Sequence, residues 1–264
     1  MNEIHLFIAP VLGAVMISAM MGTIGVFIIW RRMVWVSIAL SQIAGLGVTV
    51  GHVLGLNPVF CALVSSYAGA FTINISYNNK VLHKDNINAI LYIVSSVVTL
   101  LILAVNPSSE WGAEQLFNGD LLYLTYSDIA VTLSAFVIFM TVLFSCRLPW
   151  IRLIVYEQEG METNRPHNIL FFIILAGSIA VCSHQAGLLF CFGSMLFPAL
   201  CVNILRINSR YSLICAGLFS VVSALTGIFF ALRYNLPFGL SIVLCMFVFF
   251  LASVLVKGFC LKNQ

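Results

Sequence analysis

The chain has 264 residues, of which 61% are hydrophobic and 8% charged, with a formal net charge of +3. Soluble domains carry about 25% charged residues, so the solvent for most of this surface is lipid. A membrane-crossing helix takes about 20 apolar residues, which leaves room for eight or nine spans and excludes an attached soluble domain. We expect one all-α transmembrane domain over residues 1–264. The small basic excess sits in short loops at membrane edges and gives no reason to expect nucleic acid.

The first span is read over Leu6–Trp30. The N-terminus lacks a basic n-region and the apolar run has no Ala-x-Ala site, so the run is expected to remain as a span. Arg31 and Arg32 close it. The second span, Val34–Leu56, carries Ser37, Ser41, Gln42 and Thr49, with Gly45, Gly47 and Gly51. Small residues let another helix approach closely. Ser37 and Ser41 share a helical face with Gln42 beside them. A lipid-facing helix has no use for such a patch, whereas a pathway or a subunit seam does. Asn57-Pro58 makes a turn, and Pro58 suits the first position of the next helix.

The third span runs from Pro58 to about Tyr77 and the fourth from Ile87 to Val105. The loop Asn106–Asp128 holds Glu110, Glu114, Asp120 and Asp128 and no Lys or Arg. The fifth span is read over Ile129–Leu148, with a loop from Pro149 to Asn168. A sixth span, Ile169–Ser183, and a seventh, ending near Leu205, flank a break at His184-Gln185-Ala186-Gly187. These two are short enough to be broken or re-entrant helices buried in protein, which leaves the count at eight or nine. Tyr211–Leu232 and Phe238–Val256 complete the set.

Alternating the spans with the N-terminus outside places eleven of the twelve Lys and Arg inside and only Arg233 outside. The positive-inside rule then gives N-terminus outside, C-terminus inside. Apart from Arg147, in the last turn of the fifth, no Asp, Glu, Lys or Arg falls within a proposed span, which argues against a proton pump or voltage sensor. No Gly-x-x-x-x-Gly-Lys-[Ser/Thr] motif occurs, so energy for uphill transport must come from another polypeptide. The eight cysteines include no Cys-x-x-Cys pair; they read as small apolar core residues.

Several elements together resemble the permease subunits of bacterial zinc- and manganese-type ABC importers. Arg31-Arg32-Met33, Leu40, Gly47 and Asn57-Pro58 match their second-span signature. Leu116-Phe117-Asn118-Gly119-Asp120-Leu121 is similar to their Leu-Phe-Gly-Asp element with Asn118 inserted. Gly187-Leu188-Leu189 with Pro198-Ala199, and Leu236-Pro237-Phe238-Gly239, follow in family order. Each is weak alone; the ordered set spans nearly the whole chain. The resemblance implies a multi-pass permease of the bacterial inner membrane that imports zinc, manganese or iron. It implies partners: an ATP-binding ABC subunit, an extracytoplasmic metal-binding protein and a second permease in a homodimer or heterodimer. No cofactor is expected on this chain; ATP belongs to the partner and the metal is the substrate.

The resemblance also points to sites. Glu157, Gln158, Glu159, Gly160, Met161 and Asn164 correspond to the cytoplasmic coupling helix that seats on the ATPase. Gly160 stands at the family's Ala position and Asn164 at its Gly position; Asn tolerates the left-handed cap that Gly provides. Read without the resemblance, this stretch is equally a solvated loop. The family's second-span Asp and His fall at Ile38 and Gln42, and a fourth-span His falls at Ile93. The pathway residues expected here are therefore Ser41, Gln42 and His52, with no metal ligand assigned. His52 and His184 sit at outer span ends, where packing is the commoner role. Two further readings stand beside the permease: a non-conducting membrane scaffold paired with another permease, and an intramembrane enzyme. The enzyme is disfavoured because no span holds a paired His, Asp or Glu set.

Overall fold

The computed structural model describes residues 3–76, 84–106, 116, 119, 121, 124–158 and 165–262. Among them the regular structure is helical: α1 (Glu3–Trp30), α2 (Val34–Leu54), α3 (Pro58–Ser76), α4 (Lys84–Val105), α5 (Tyr126–Gln158), α6 (Arg165–Ala186), α7 (Leu188–Ile204), α8 (Ser209–Tyr234) and α9 (Phe238–Lys262). Eight of these are long and apolar enough to cross a membrane. The exception by length is α7, with 17 residues, against the ~20 that a full crossing takes.

Local chemistry sets the turns. Gly55 closes α2 in the left-handed region, its N–H donating to the His52 carbonyl, and the Leu56 N–H reaches back to Gly51. Asn57 then opens α3: its Oδ1 accepts from the N–H of Val59 at 3.0 Å and of Phe60 at 3.3 Å. That is an N-cap, with Pro58 at the first helical position as expected. Gly187, at φ 81, is the single residue between α6 and α7. The break is thus shorter than the His184–Gly187 stretch suggests, because α6 continues through His184 and Gln185.

The second departure is in α5. The sequence reading ends this span at Leu148, but the helix passes through Pro149 to Gln158. Proline lacks the N–H that would bond four residues back, which weakens a helix interior. Tertiary packing overrides it. Trp150 is 1% exposed and meets Phe27 of α1 and Phe171 of α6 edge-to-face at 5.5 and 5.4 Å. The lengthened helix also brings Arg152 within α5, beside Arg147, which already lay in the last turn of the span read from sequence.

The bundle is organised around two helices that scarcely touch each other. α1 packs against α8, α7 and α5, whereas α2 packs against α3, α4 and α6. Close approach is built into both halves. On α2, a Cβ at Gly47 would stand 2.5 Å from the Cys61 carbonyl of α3; on α1, one at Gly25 would stand 1.9 Å from the Met195 carbonyl of α7. α6 touches both halves and ties them together.

The helices run alternately between two ends. At one, Arg31 donates to Asn168 Oδ1 at 2.6 Å, and Asn168 donates to Asn74 Oδ1 at 3.0 Å, joining the end of α1, the start of α6 and the end of α3. Lys257 of α9 donates to the Ile204 carbonyl that ends α7. At the other end, His52 of α2 meets His184 of α6. We call these the Arg31 end and the His52 end.

Candidate functional site

α2 is the helix on which the sequence places its polar patch, and the structure divides that patch between two faces. Ser37, Ser41 and Thr49 are buried, at 5%, 1% and 0% exposure. Their hydroxyls donate to the Val34, Ile38 and Gly45 carbonyls of their own helix, a common way for a hydroxyl to be satisfied away from water. Trp35, Ile38, Gln42, Leu46, Val50 and Val53 are partly or fully open and spaced three or four apart along one stripe, with Val34, His52 and Leu54 also open near the helix ends. Gln42 therefore lies on the uncovered face of an otherwise enclosed helix, while Ser41 points into the bundle. The expected pairing of Ser41 with Gln42 in one pathway lining is not what the fold produces: adjacent residues on a helix diverge by about 100°.

Ile38, one turn before Gln42, shares that stripe. The two positions at which the sequence departs from the resemblance thus face outward together. Ile93 of α4 is 57% exposed. α4 packs chiefly on α2 and buries a polar line there, Asn88, Ser95 and Thr99, at 2%, 4% and 2% exposure. The Ser95 and Thr99 hydroxyls donate to carbonyls one turn back.

His52 belongs to the inward line Ser41, Gly45, Val48, which runs along the seam with α6. Val48 packs with Ala180 and Ala62 in a small apolar cluster. One turn further on from Val48 and Ala180 stand His52 and His184, whose rings are parallel within 5° with centroids 6.4 Å apart. Both side chains are half-buried. Sequence spacing gives no hint of this pair, since the two residues come from distant helices. What the sequence does carry is that both lie at the same end of alternating spans.

Described residues that precede α5 are enclosed by the bundle near this end. Leu116, Leu121 and Leu124 are buried, at 1%, 1% and 9% exposure. A Cβ at Gly45 would touch Leu116 and Leu188, and one at Gly119, which has φ +67, would collide with the Ala186 carbonyl carbon at 2.1 Å. Beside it, Thr132 donates to Gln185 Oε1 at 2.6 Å, and the Gln185 amide donates to the Asp128 carbonyl at 3.1 Å. Among the described residues no three His, Cys, Asp or Glu side chains form a metal cluster. Seven of the cysteines are free thiols. Of the coupling loop, Glu157 and Gln158 form the last turn of α5; Glu159, Gly160, Met161 and Asn164 lie outside the described residues.

Comparison with known proteins matches this architecture along its length. The high-affinity zinc uptake system membrane protein ZnuB of Buchnera aphidicola subsp. Baizongia pistaciae is 27% identical over 254 residues, covering 93% of this chain and 96% of that protein. The manganese transport system membrane protein MntC of Halalkalibacterium halodurans is 23% identical over 235 residues, covering 88% and 80%. Among solved structures, PsaBC from Streptococcus pneumoniae in complex with Fab superposes with a TM-score of 0.81 at 20% identity, over 96% of this chain and 92% of that one. Residues 3–257 match the ABC 3 transport family, and with that near-complete match the chain belongs to it.

Proposed function

We propose that this chain is the membrane-spanning permease subunit of an ABC importer for a divalent metal ion, zinc, manganese or iron. A separate ATPase drives it, an extracytoplasmic binding protein delivers the ion, and a second permease completes the pathway. The observation that carries the reading is the open stripe on α2. Two-thirds of this span is enclosed by the bundle, yet a partly open stripe along it presents the Gln42 amide at mid-helix. A polar side chain at that depth is unfavourable against lipid and belongs at a helix seam or a water-filled path. The family membership and the zinc and manganese transport named for the relatives support the same reading.

The proposed orientation follows from charge. Arg31, Arg32, Arg147, Arg152, Arg206, Arg210 and Lys257 gather at the Arg31 end, and Arg233 sits at the other. The Arg31 end then faces the cytoplasm of a bacterial cell and the N-terminus lies outside. Glu157 and Gln158 end α5 on that side, where an ATPase would dock. The acidic side chains offer partners for basic residues on the ATPase, and Gly160 lets the segment seat in a groove.

The outward-facing Ile38 and Gln42 favour a heterodimer. At a seam between two permeases only one need hold the ion, and an apolar residue on the other carries no desolvation penalty. The chain would then serve as the ligand-poor half, and its limiting case is a non-conducting scaffold. Co-purification tests the reading. An ATPase encoded beside this chain should be retained by the tagged permease and lost or uncoupled in Gly160→Trp. A permease that retains no ATPase under any condition contradicts it.

A further inference from the structure

We propose that Arg32, Arg206 and Arg210 form a docking site for the headgroup of an anionic phospholipid at the Arg31 end, where α1, α7, α8 and α9 meet. The site requires only that the chain crosses a bilayer and does not depend on the transport reading.

α2, α8, α1 and α7 end in the same cap, in which an N–H past the last turn bonds five residues back: Leu56 to Gly51, Leu236 to Ala231, Met33 to Ile28 and Ile207 to Val202. The residue before that N–H is left-handed, a conformation that suits Gly and, after it, Asn. At the His52 end these residues are Gly55 and Asn235. At the Arg31 end they are Arg32, at φ 55, and Arg206, at φ 50. A charge that served only to orient the chain in the membrane has no need of a backbone conformation that costs energy. Two arginines held in it point to a use for the side chains themselves.

Helix register groups the three residues. A Cβ at Gly22 of α1 would meet Ser220 of α8. Equal steps along these antiparallel helices, from Gly22 to Arg32 and from Ser220 to Arg210, leave both arginines about 15 Å beyond that contact, at one level. Arg206 precedes Arg210 in the tight turn between α7 and α8. Lys257 of α9 donates to the Ile204 carbonyl at the end of α7, so its charge answers the negative end of that helix. Arg32, Arg206 and Arg210 are all exposed. Asn208 opens α8 without a side-chain cap, and the positive end of α8 lies beside Arg206 and Arg210, an arrangement that favours phosphate.

No Asp or Glu occurs between Glu3 and Asp85 or after Glu162, so the helices that meet here bring no carboxylate to this end. Asp85 and Glu157 stand on α4 and α5. The planar fork of arginine takes phosphate oxygens in pairs. From Arg210 toward mid-membrane, Tyr211, Ile214 and Leu218 are exposed at steps of three and four along α8. They offer a strip for acyl chains, with a tyrosine at headgroup level. A phospholipid fits both parts of this surface and a soluble phosphate only one.

The test uses the full chain, delipidated in a neutral detergent and titrated with dioleoylphosphatidylglycerol or dioleoylphosphatidylcholine, with bound lipid counted by native mass spectrometry. A basic residue near anionic headgroups contributes about fivefold, so R210Q should hold phosphatidylglycerol about fivefold more weakly and R32G/R206G about 25-fold. Phosphatidylcholine binding should not change. Glycine suits the left-handed backbone better than arginine, so the lipid-free melting temperature of R32G/R206G should hold or rise, which separates lost binding from lost fold. R210Q leaves both caps intact and reads the site even if the double variant does not fold. R152Q removes an exposed charge from α5 at the same end and should bind as the unaltered chain does. Equal phosphatidylglycerol binding by R210Q, or by folded R32G/R206G, and the unaltered chain overturns the site. A loss in R152Q as large as in R210Q overturns it too, as does displacement of the lipid by equal glycerol phosphate. If R32G/R206G keeps the lipid but sheds the ATPase, the corner contacts protein and the proposal fails.

Discussion

The two ends of the α2–α6 pair solve the same problem, polar groups in an apolar bundle, by different means. At the Arg31 end a cation is enclosed by protein. Arg31 is 9% exposed, its guanidinium lies 4.5 Å from the Phe171 ring centroid and 5.9 Å from that of Phe172, and it donates to Asn168. Phe27, Trp150 and Phe171 pack edge-to-face around it. At the His52 end the polar groups are weaker and face one another across a seam, with the buried Leu116, Leu121 and Leu124 and the close contact of Gly119 with Ala186 on the same side of the bundle. The Arg31 end is thus joined through a buried charged donor and the His52 end through neutral polar contacts.

That contrast can be broken by mutation. Trp150→Ala should cost the most: removing a fully buried large aromatic destabilises by about 3–5 kcal/mol. It also removes the packing that carries α5 past Pro149, so the helical content beyond residue 149 should fall along with the melting temperature in detergent. A loss no larger than that of an average surface substitution would mean that α5 is held elsewhere.

Arg31→Met comes next. It keeps apolar bulk over Phe171 and Phe172 but removes the charged donor to Asn168, and hydrogen bonds to charged groups contribute about 1.5–3 kcal/mol. Thermal unfolding of the purified variant measures this, with the added expectation that Asn168→Ala in the Arg31→Met background costs little more. Full additivity of the two losses would show that the pair is not coupled.

Gln185→Leu sharpens the comparison from the other side. It removes the bonds to Thr132 and to the Asp128 carbonyl, and interhelical hydrogen bonds in membrane proteins average about 0.6 and reach about 1.7 kcal/mol. The loss should stay below that of Arg31→Met. A larger loss at Gln185 would reverse the ranking of the two ends.

Much of the fold was legible because membrane helices obey few rules. The spans, the Asn57-Pro58 turn and the close packing at Gly47 and Gly51 follow from apolar length, capping chemistry and residue size. The end of α5 was not legible, because Pro149 is a local signal for a helix end and Trp150 acts through contacts with α1 and α6. The site was legible only in part. The polar patch is read on α2, and Gln42 lies on the partly open stripe of that helix. Ser41 was placed beside Gln42, and only the packing of α3, α4 and α6 reveals that it points inward. The pairing of His52 with His184 needs the register of two helices far apart in the chain, which no spacing rule supplies.

The central proposal, that this chain is the permease of a metal importer, is tested most directly by uptake. Inside-out and right-side-out vesicles would be prepared with this chain, its ATPase, the binding protein and a second permease, and loaded with ATP on the ATPase side. The prediction is ATP-driven accumulation of Zn²⁺ or Mn²⁺ that disappears when this chain is omitted. Accumulation that continues unchanged without it, or an assembled complex that hydrolyses ATP and moves neither ion, would contradict it.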